Sequence, residues 1–202
     1  MAGIGMYGVY YAKATVTNGV VTGYTGGAKQ MGKAISATFT PGERDGNPLY
    51  ANNGIAERDG VGASTGELSL TLDRLDLDAA VDLYGLTKSD VTVGSGADAA
   101  TGTGVSYTGS EAPNIVGVAF IRWRQEDNVR TYHEAVIFGA VTFDAPTDNY
   151  NTLGESVDWQ TPELTGAVYG AATTGTIPWK RSFTFETQEA AIAYIESVFA
   201  AS

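Results

Sequence analysis

Apolar and polar residues alternate along most of this chain. Over residues 67–73, Leu68, Leu70 and Leu72 fall on one side of an extended backbone, and Glu67, Ser69, Thr71 and Asp73 on the other. That period predicts a half-buried strand. Over 14–24, two β-branched runs flank Asn18-Gly19, the dipeptide favoured where both turn residues take positive φ, which predicts a hairpin. Further strands are expected at 9–12, 33–40, 115–124, 129–143, 155–161, 163–170 and 179–186, with a polar turn at Gln125, Glu126, Asp127 and Asn128. Only two stretches keep a helical period. Over 77–84, Asp76 is the expected N-cap, Asp78 lies in the first turn and Gly85 is the stop, with Leu77, Ala80, Val81 and Tyr84 forming the apolar face. Over 188–200, Thr187 caps a helix whose stripe is Ala191, Ile192, Ile195, Val198 and Phe199.

Two stretches break the alternation. Residues 41–64 are rich in Gly, Asn, Asp and Pro, and read as a long arm-like hairpin turning at Asn53-Gly54. The tetrapeptide Glu-Arg-Asp-Gly occurs there twice, at 43–46 and 57–60, too short an echo to define a repeat architecture. Residues 88–112 are Gly/Ala/Ser/Thr-rich and read as a connection with one strand at 91–93. The expectation is one all-β domain over 1–202, a sandwich with a short flanking α-helix and a C-terminal helix docked on it.

Composition narrows the partners. Twelve basic residues against 23 acidic ones leave a formal charge of −11, without a basic cluster: Arg122 and Arg124 alternate on one strand, and Lys180-Arg181 stand alone. This argues against gripping nucleic acid or an anionic membrane. The chain has no cysteine, so neither a disulfide nor a thiolate nucleophile is available. No secretory leader is expected, since the first basic residue is Lys13 and glycines interrupt any apolar core; no apolar run approaches a membrane span.

Glycine-rich motifs invite a nucleotide-binding reading and fail it. "GIGMYG" (3–8) has the G-x-G-x-x-G spacing, yet only Met1 and Ala2 precede it, so no strand feeds a phosphate-binding turn. "GAKQMGKA" (27–34) ends in Ala34 where a P-loop needs a hydroxyl, and continues as a strand. "GSGADA" (94–99) follows strand-like residues but runs into loop-like sequence; with 26 glycines, chance matches are expected. His133 is the only histidine, and adjacent strand residues diverge, so His133 and Glu134 form no dyad and zinc lacks ligands. Asp73, Asp76, Asp78 and Asp82 gather around a helix start, where the dipole alone favours acids. "ERDGNP" does not continue as a calcium loop, and G-x-S-x-G is absent. No catalytic, cofactor-binding or metal-binding residue is assigned, and no enzymatic activity is expected.

The order of features is more specific. An N-terminal "GVYYAKATVTNGVVTGYTGG" precedes "LYANNGIAE", then "GELSLTLDRLDLDAAVDLYGL", then a block from Pro113 to Gly170. In that block Thr152, Gly154, Glu155, Ser156, Thr161, Pro162, Leu164 and Gly166 fit the pattern T-x-G-E-S-x-x-x-x-T-P-x-L-x-G. The chain resembles the major tail proteins of long-tailed bacteriophages, of the phi13 type, over roughly residues 5–170, patchily over 88–112 and not after Thr187. The resemblance implies a β-sandwich of tail-tube type and no active site. It implies a structural virion protein, made in the host cytoplasm, that assembles as hexameric rings stacked into the conduit for DNA ejection. The partners implied are further copies of the chain, with tape-measure and tail terminator proteins, and DNA only as passing cargo. An acidic wall would repel that cargo and let it slide. Residues 134–179 hold Glu134, Asp144, Asp148, Glu155, Asp158 and Glu163 but no Lys or Arg, and part of this segment is expected to face a net-negative lumen. The 41–64 arm is expected to be mobile in a free subunit and ordered between rings, using Glu43, Arg44, Asp45, Glu57, Arg58 and Asp59 with an apolar tip of Leu49, Tyr50 and Ile55. The competing readings are a carbohydrate-binding sandwich, in which Tyr and Trp stack on sugars, the tube of a contractile injection system, and, third, a hydrolase that turns over a glycan.

Overall fold

A computed structural model describes residues 2–42, 48–51, 54–58, 66–96, 99–127, 130–146, 152, 160–169 and 177–200, with side chains left out at 2, 48–51, 54–58 and 130. The chain opens with β1 (Ala2–Thr17) and β2 (Val20–Gly32), joined where Asn18 (φ 53°) and Gly19 (φ 78°) both take the left-handed conformation. That pair of positive φ values matches the twist of the flanking strands. Then come β3 (Ala34–Pro41), β4 (Pro48–Ala51), β5 (Gly54–Arg58), β6 (Gly66–Leu72) and α1 (Leu77–Tyr84). The second half carries β7 (Thr87–Val93), β8 (Ala100–Ser106), β9 (Val116–Glu126), β10 (Arg130–Phe143), β11 (Glu163–Val168), β12 (Lys180–Phe185) and α2 (Gln188–Phe199).

Eight strands form one antiparallel sheet in the order β2-β1-β9-β10-β11-β6-β3, with β12 also on β10. The edge of β10 is shared: His133 to Phe138 pair with β12, and Val141 to Phe143 pair with β11. Its register with β9 shifts between those two stretches, so the strand changes partners at an irregularity. Beyond it the β11-β6-β3 wing folds over β1 and β9. Leu68, Leu70, Leu72, Leu164 and Val168 thereby share one core with Val9, Tyr11, Val118, Phe120 and the inner face of α1. The opposite face of β9 and β10, with Ala119, Ile121, Ala135 and Ile137, is covered by Ala191, Ile195 and Phe199 of α2. Because β9 is buried on both faces, residues 116–121 read as an unbroken apolar run instead of an alternation.

Both helices occupy the expected places. The Asp76 side chain accepts from the Asp78 N–H, Gly85 ends α1 at φ 67°, and Thr187 accepts from the Ala190 N–H. The buried face of α1 differs in detail: Ala79 and Leu83 are buried with Ala80 and Tyr84, whereas Leu77 and Val81 are only partly so.

Two expectations need correction, at 88–112 and in the arm, and the rejected 3–8 motif finds its place. Residues 88–112 hold a two-stranded hairpin, β7 with β8, not one short strand in a connection. Its strands bury no face, so hydrophobic alternation could not reveal them. The 3–8 glycine motif lies inside β1: Ile4 and Gly8 are extra residues at two bulges against β9, and Gly8 adopts φ 58°. In the arm, Gly54 belongs to β5 opposite Ala51, not to the turn. The side chains of 43–65, including the arm's expected charged and apolar contacts, lie outside the described residues, as do residues 155–159 and Asp148.

Candidate functional site

A depression lies where the β3 wing stands over β1, β9, β10 and β12. Its volume is about 590 Å³, and its walls include Met6, Ile35, Phe39, Phe120, Val136 and Phe138. At its polar end is Glu134. This side chain is buried on β10, directly opposite Arg122 on β9 in the ladder, and diagonal to Ser182 on β12. Arg122 donates from Nε (2.8 Å) and Nη2 (2.6 Å) to Glu134 Oε2, Arg124 Nη1 stands 3.3 Å from the same oxygen, and the Ser182 hydroxyl donates to Oε1. Lys180 completes the rim, its ammonium 5.0 Å from the Phe39 ring centre and 5.5 Å from that of Phe138.

Burial alone would raise the Glu134 pKa. The hydrogen bonds from Ser182 and Arg122 and the charges of Arg122 and Arg124 outweigh it and hold the carboxyl below its ordinary value. A carboxylate held this way stays ionised at neutral pH and has little proton affinity to lend to general-base chemistry. Its physical effect is to clamp β9, β10 and β12 together. The sequence reading of Arg122, Arg124 and Lys180-Arg181 as scattered basic residues missed this convergence. The signal was two charges at i and i+2 inside an otherwise apolar strand, but their shared partner Glu134 lies 12 and 10 positions away on another strand, and Ser182 reaches that carboxylate from 48 positions on.

His133 points to the other side of the sheet, edge-on to Trp123 with ring centres 5.7 Å apart, so it and Glu134 diverge as strand geometry requires. It is half-buried, not a surface residue, because Trp123 covers it. The four acids around α1 are not brought to one point. Asp76 caps the helix, Asp78 pairs with Lys88 at 2.8 Å, and Asp73 accepts the backbone N–H groups of Lys33 and Arg74. Asp82 accepts from Tyr11 Oη at 3.0 Å and Lys29 Nζ at 2.7 Å, fastening α1 to β1 and β2; burial and then this carboxylate push the Tyr11 phenol up. No metal-holding group of His and acidic side chains occurs among the described residues.

Residues 27–34 run along β2 into β3 with no helix after them, and residues 94–96 follow the end of β7. No helix among the described residues is long and apolar enough to cross a membrane. No protein-family model matches the chain, and no curated protein matches it.

Proposed function

We propose that this chain is a structural subunit that self-assembles into stacked hexameric rings, the tail tube of a long-tailed bacteriophage. The observation that carries the reading is where the described residues of its most specific motif sit. Leu164 is fully buried, the Pro162 carbonyl accepts from the Leu72 N–H, and a Cβ on Gly166 would come within 2.8 Å of Phe143 and 2.9 Å of Val141. Those residues turn the chain into β11 and seat it beside β10. They are fold-making positions, as the motif of a structural family should be. Gly154, Glu155 and Ser156 lie outside the described residues.

On this reading the partners are other copies, tape-measure and terminator proteins, with DNA as non-specific passing cargo, and the site of action is the virion. Asp144 and Glu163 are exposed and available to an acidic lumen. Glu134 adds no free charge there, being consumed by Arg122 and Arg124.

Electron microscopy of concentrated protein tests the reading: hollow tubes of stacked rings are expected, and a chain that stays monomeric at every concentration overturns it. The arm has its own test. Replacing residues 44–59 by a short Gly-Ser linker is expected to leave circular dichroism unchanged yet abolish tubes. Tubes of normal length from that variant would remove the arm from assembly.

A further inference from the structure

We propose that β8 of one copy pairs with the free edge of β3 in a second copy, adding a strand to its eight-stranded sheet. The inference rests on the self-assembly proposed above and names its contact. β3 ends the sheet, with β6 as its only strand partner among the described residues. β7 and β8 form a separate ribbon whose base rests on α1 and whose β7 residues are all exposed; Val91 and Val93 remain 60 and 69% exposed. A lone two-stranded ribbon is marginal in water, and a third strand would relieve it.

Charge identifies the matching edges. Open strand edges are normally guarded by charged side chains that prevent pairing with other chains. Here β2 carries Lys29, β7 carries Lys88 and Asp90, and β12 carries Lys180 and Arg181. β3 (AISATFTP) and β8 (ATGTGVS) carry none, and they are the only charge-free described strands of seven residues or more. Their lengths, eight and seven residues, suit one continuous ladder of about 23 Å at 3.3 Å per residue. Two chains of charge −11 repel each other, so contact through charge-free strands is the least opposed.

The glycines of β8 point the same way. Gly102 and Gly104 have no positive φ, and a Cβ on either would meet nothing within 4 Å. Nothing inside the chain demands glycine there, and bare backbone suits close approach by another strand. Because β3 and β8 are different surfaces, the contact is head-to-tail, the kind that closes into rings. One ladder is far smaller than the roughly 800 Å² per partner of a stable complex, so the occupant is a repeated copy whose contacts reinforce one another.

Thr38→Lys and Gly102→Lys place a guard on each edge at exposed positions. Each variant is expected to melt like the wild type and to need at least tenfold more protein to assemble. Mixed together they retain one intact β8 and one intact β3; this single ladder, too weak to hold a stable complex, should be captured as 1:1 dimers by chemical cross-linking at high concentration, with no larger species. In the wild type, hydrogen exchange should slow at 34–40 and 100–106 together as concentration rises. Variants that assemble like the wild type, a mixture that behaves as either variant alone, or protection confined to other strands would overturn the contact. Tubes formed by both variants would leave the tube reading standing without this contact. Wild-type assemblies protected on both strands but lacking rings would leave the contact standing and remove the tube.

Discussion

Replacing Phe199 with alanine is expected to cost about 3–5 kcal/mol of unfolding free energy. The side chain is fully buried at the end of α2 and meets the Tyr24 ring edge-on, with centres 4.8 Å apart. Beneath both rings lies Gly117 of β9, where a Cβ would come within 2.5 Å of Tyr24 and 2.6 Å of Phe199. Tyr24 cannot swing into the space left behind, because its hydroxyl donates to the Gly139 carbonyl at 2.9 Å. Burial pushes that phenol up to about 12 despite the charge of Arg181, so the proton stays in place throughout the neutral range. A cavity that cannot collapse puts the loss at the upper end of the range. Urea unfolding followed by Trp fluorescence measures it, and Tm should fall by on the order of 10 °C. A loss under 1 kcal/mol would mean that α2 is an appendage and not the cover of the sheet's second face.

That helix was legible in the sequence because its stripe Ala191, Ile195 and Phe199 faces one layer only, giving a clean 3.6-residue period. β6 was legible for the same reason: one face is buried, so Leu68, Leu70 and Leu72 alternate. The Asn18-Gly19 turn announced itself through local backbone chemistry. What stayed hidden depends on distant pairings or on the lack of any buried face. β7 and β8 show no hydrophobic period, since they pack on almost nothing. The glycines at 3–8 carry the spacing of a phosphate turn, which the lack of a preceding strand excludes; what the sequence could not show is that they lie at bulges imposed by a partner strand more than 100 residues away. The cleft follows from the fold of the β11-β6-β3 wing, and its polar end joins three strands that only tertiary structure brings together.

Glu134→Gln is expected to lower stability by about 2–3 kcal/mol at pH 7. The figure is below the 3–5 kcal/mol of a fully buried broken pair because the Arg122 side chain is 47% exposed and can return to water. Gln keeps the shape but not the charge, so two guanidinium groups lose their counter-ion, and its NH2 group takes the place of one of the two accepting oxygens, where it faces a donor. The pH dependence separates this from simple misfit. A carboxyl whose folded pKa is depressed contributes stability above its unfolded value, near 4.3, and loses it as pH falls through the folded value. The gap between wild type and E134Q should therefore be full above about pH 5 and shrink steadily toward pH 3, as the wild-type carboxyl becomes neutral too. Asp73 and Asp78, lowered by their hydrogen bonds to the Lys33 backbone and to Lys88, and Glu111, held down to about 2 by Thr108, also weaken both proteins in acid. Those losses are common to the two chains and cancel in the difference. A gap that stays constant from pH 7 to pH 3 would show that Glu134 acts through shape alone, and the ion-paired clamp between β9, β10 and β12 would have to be abandoned.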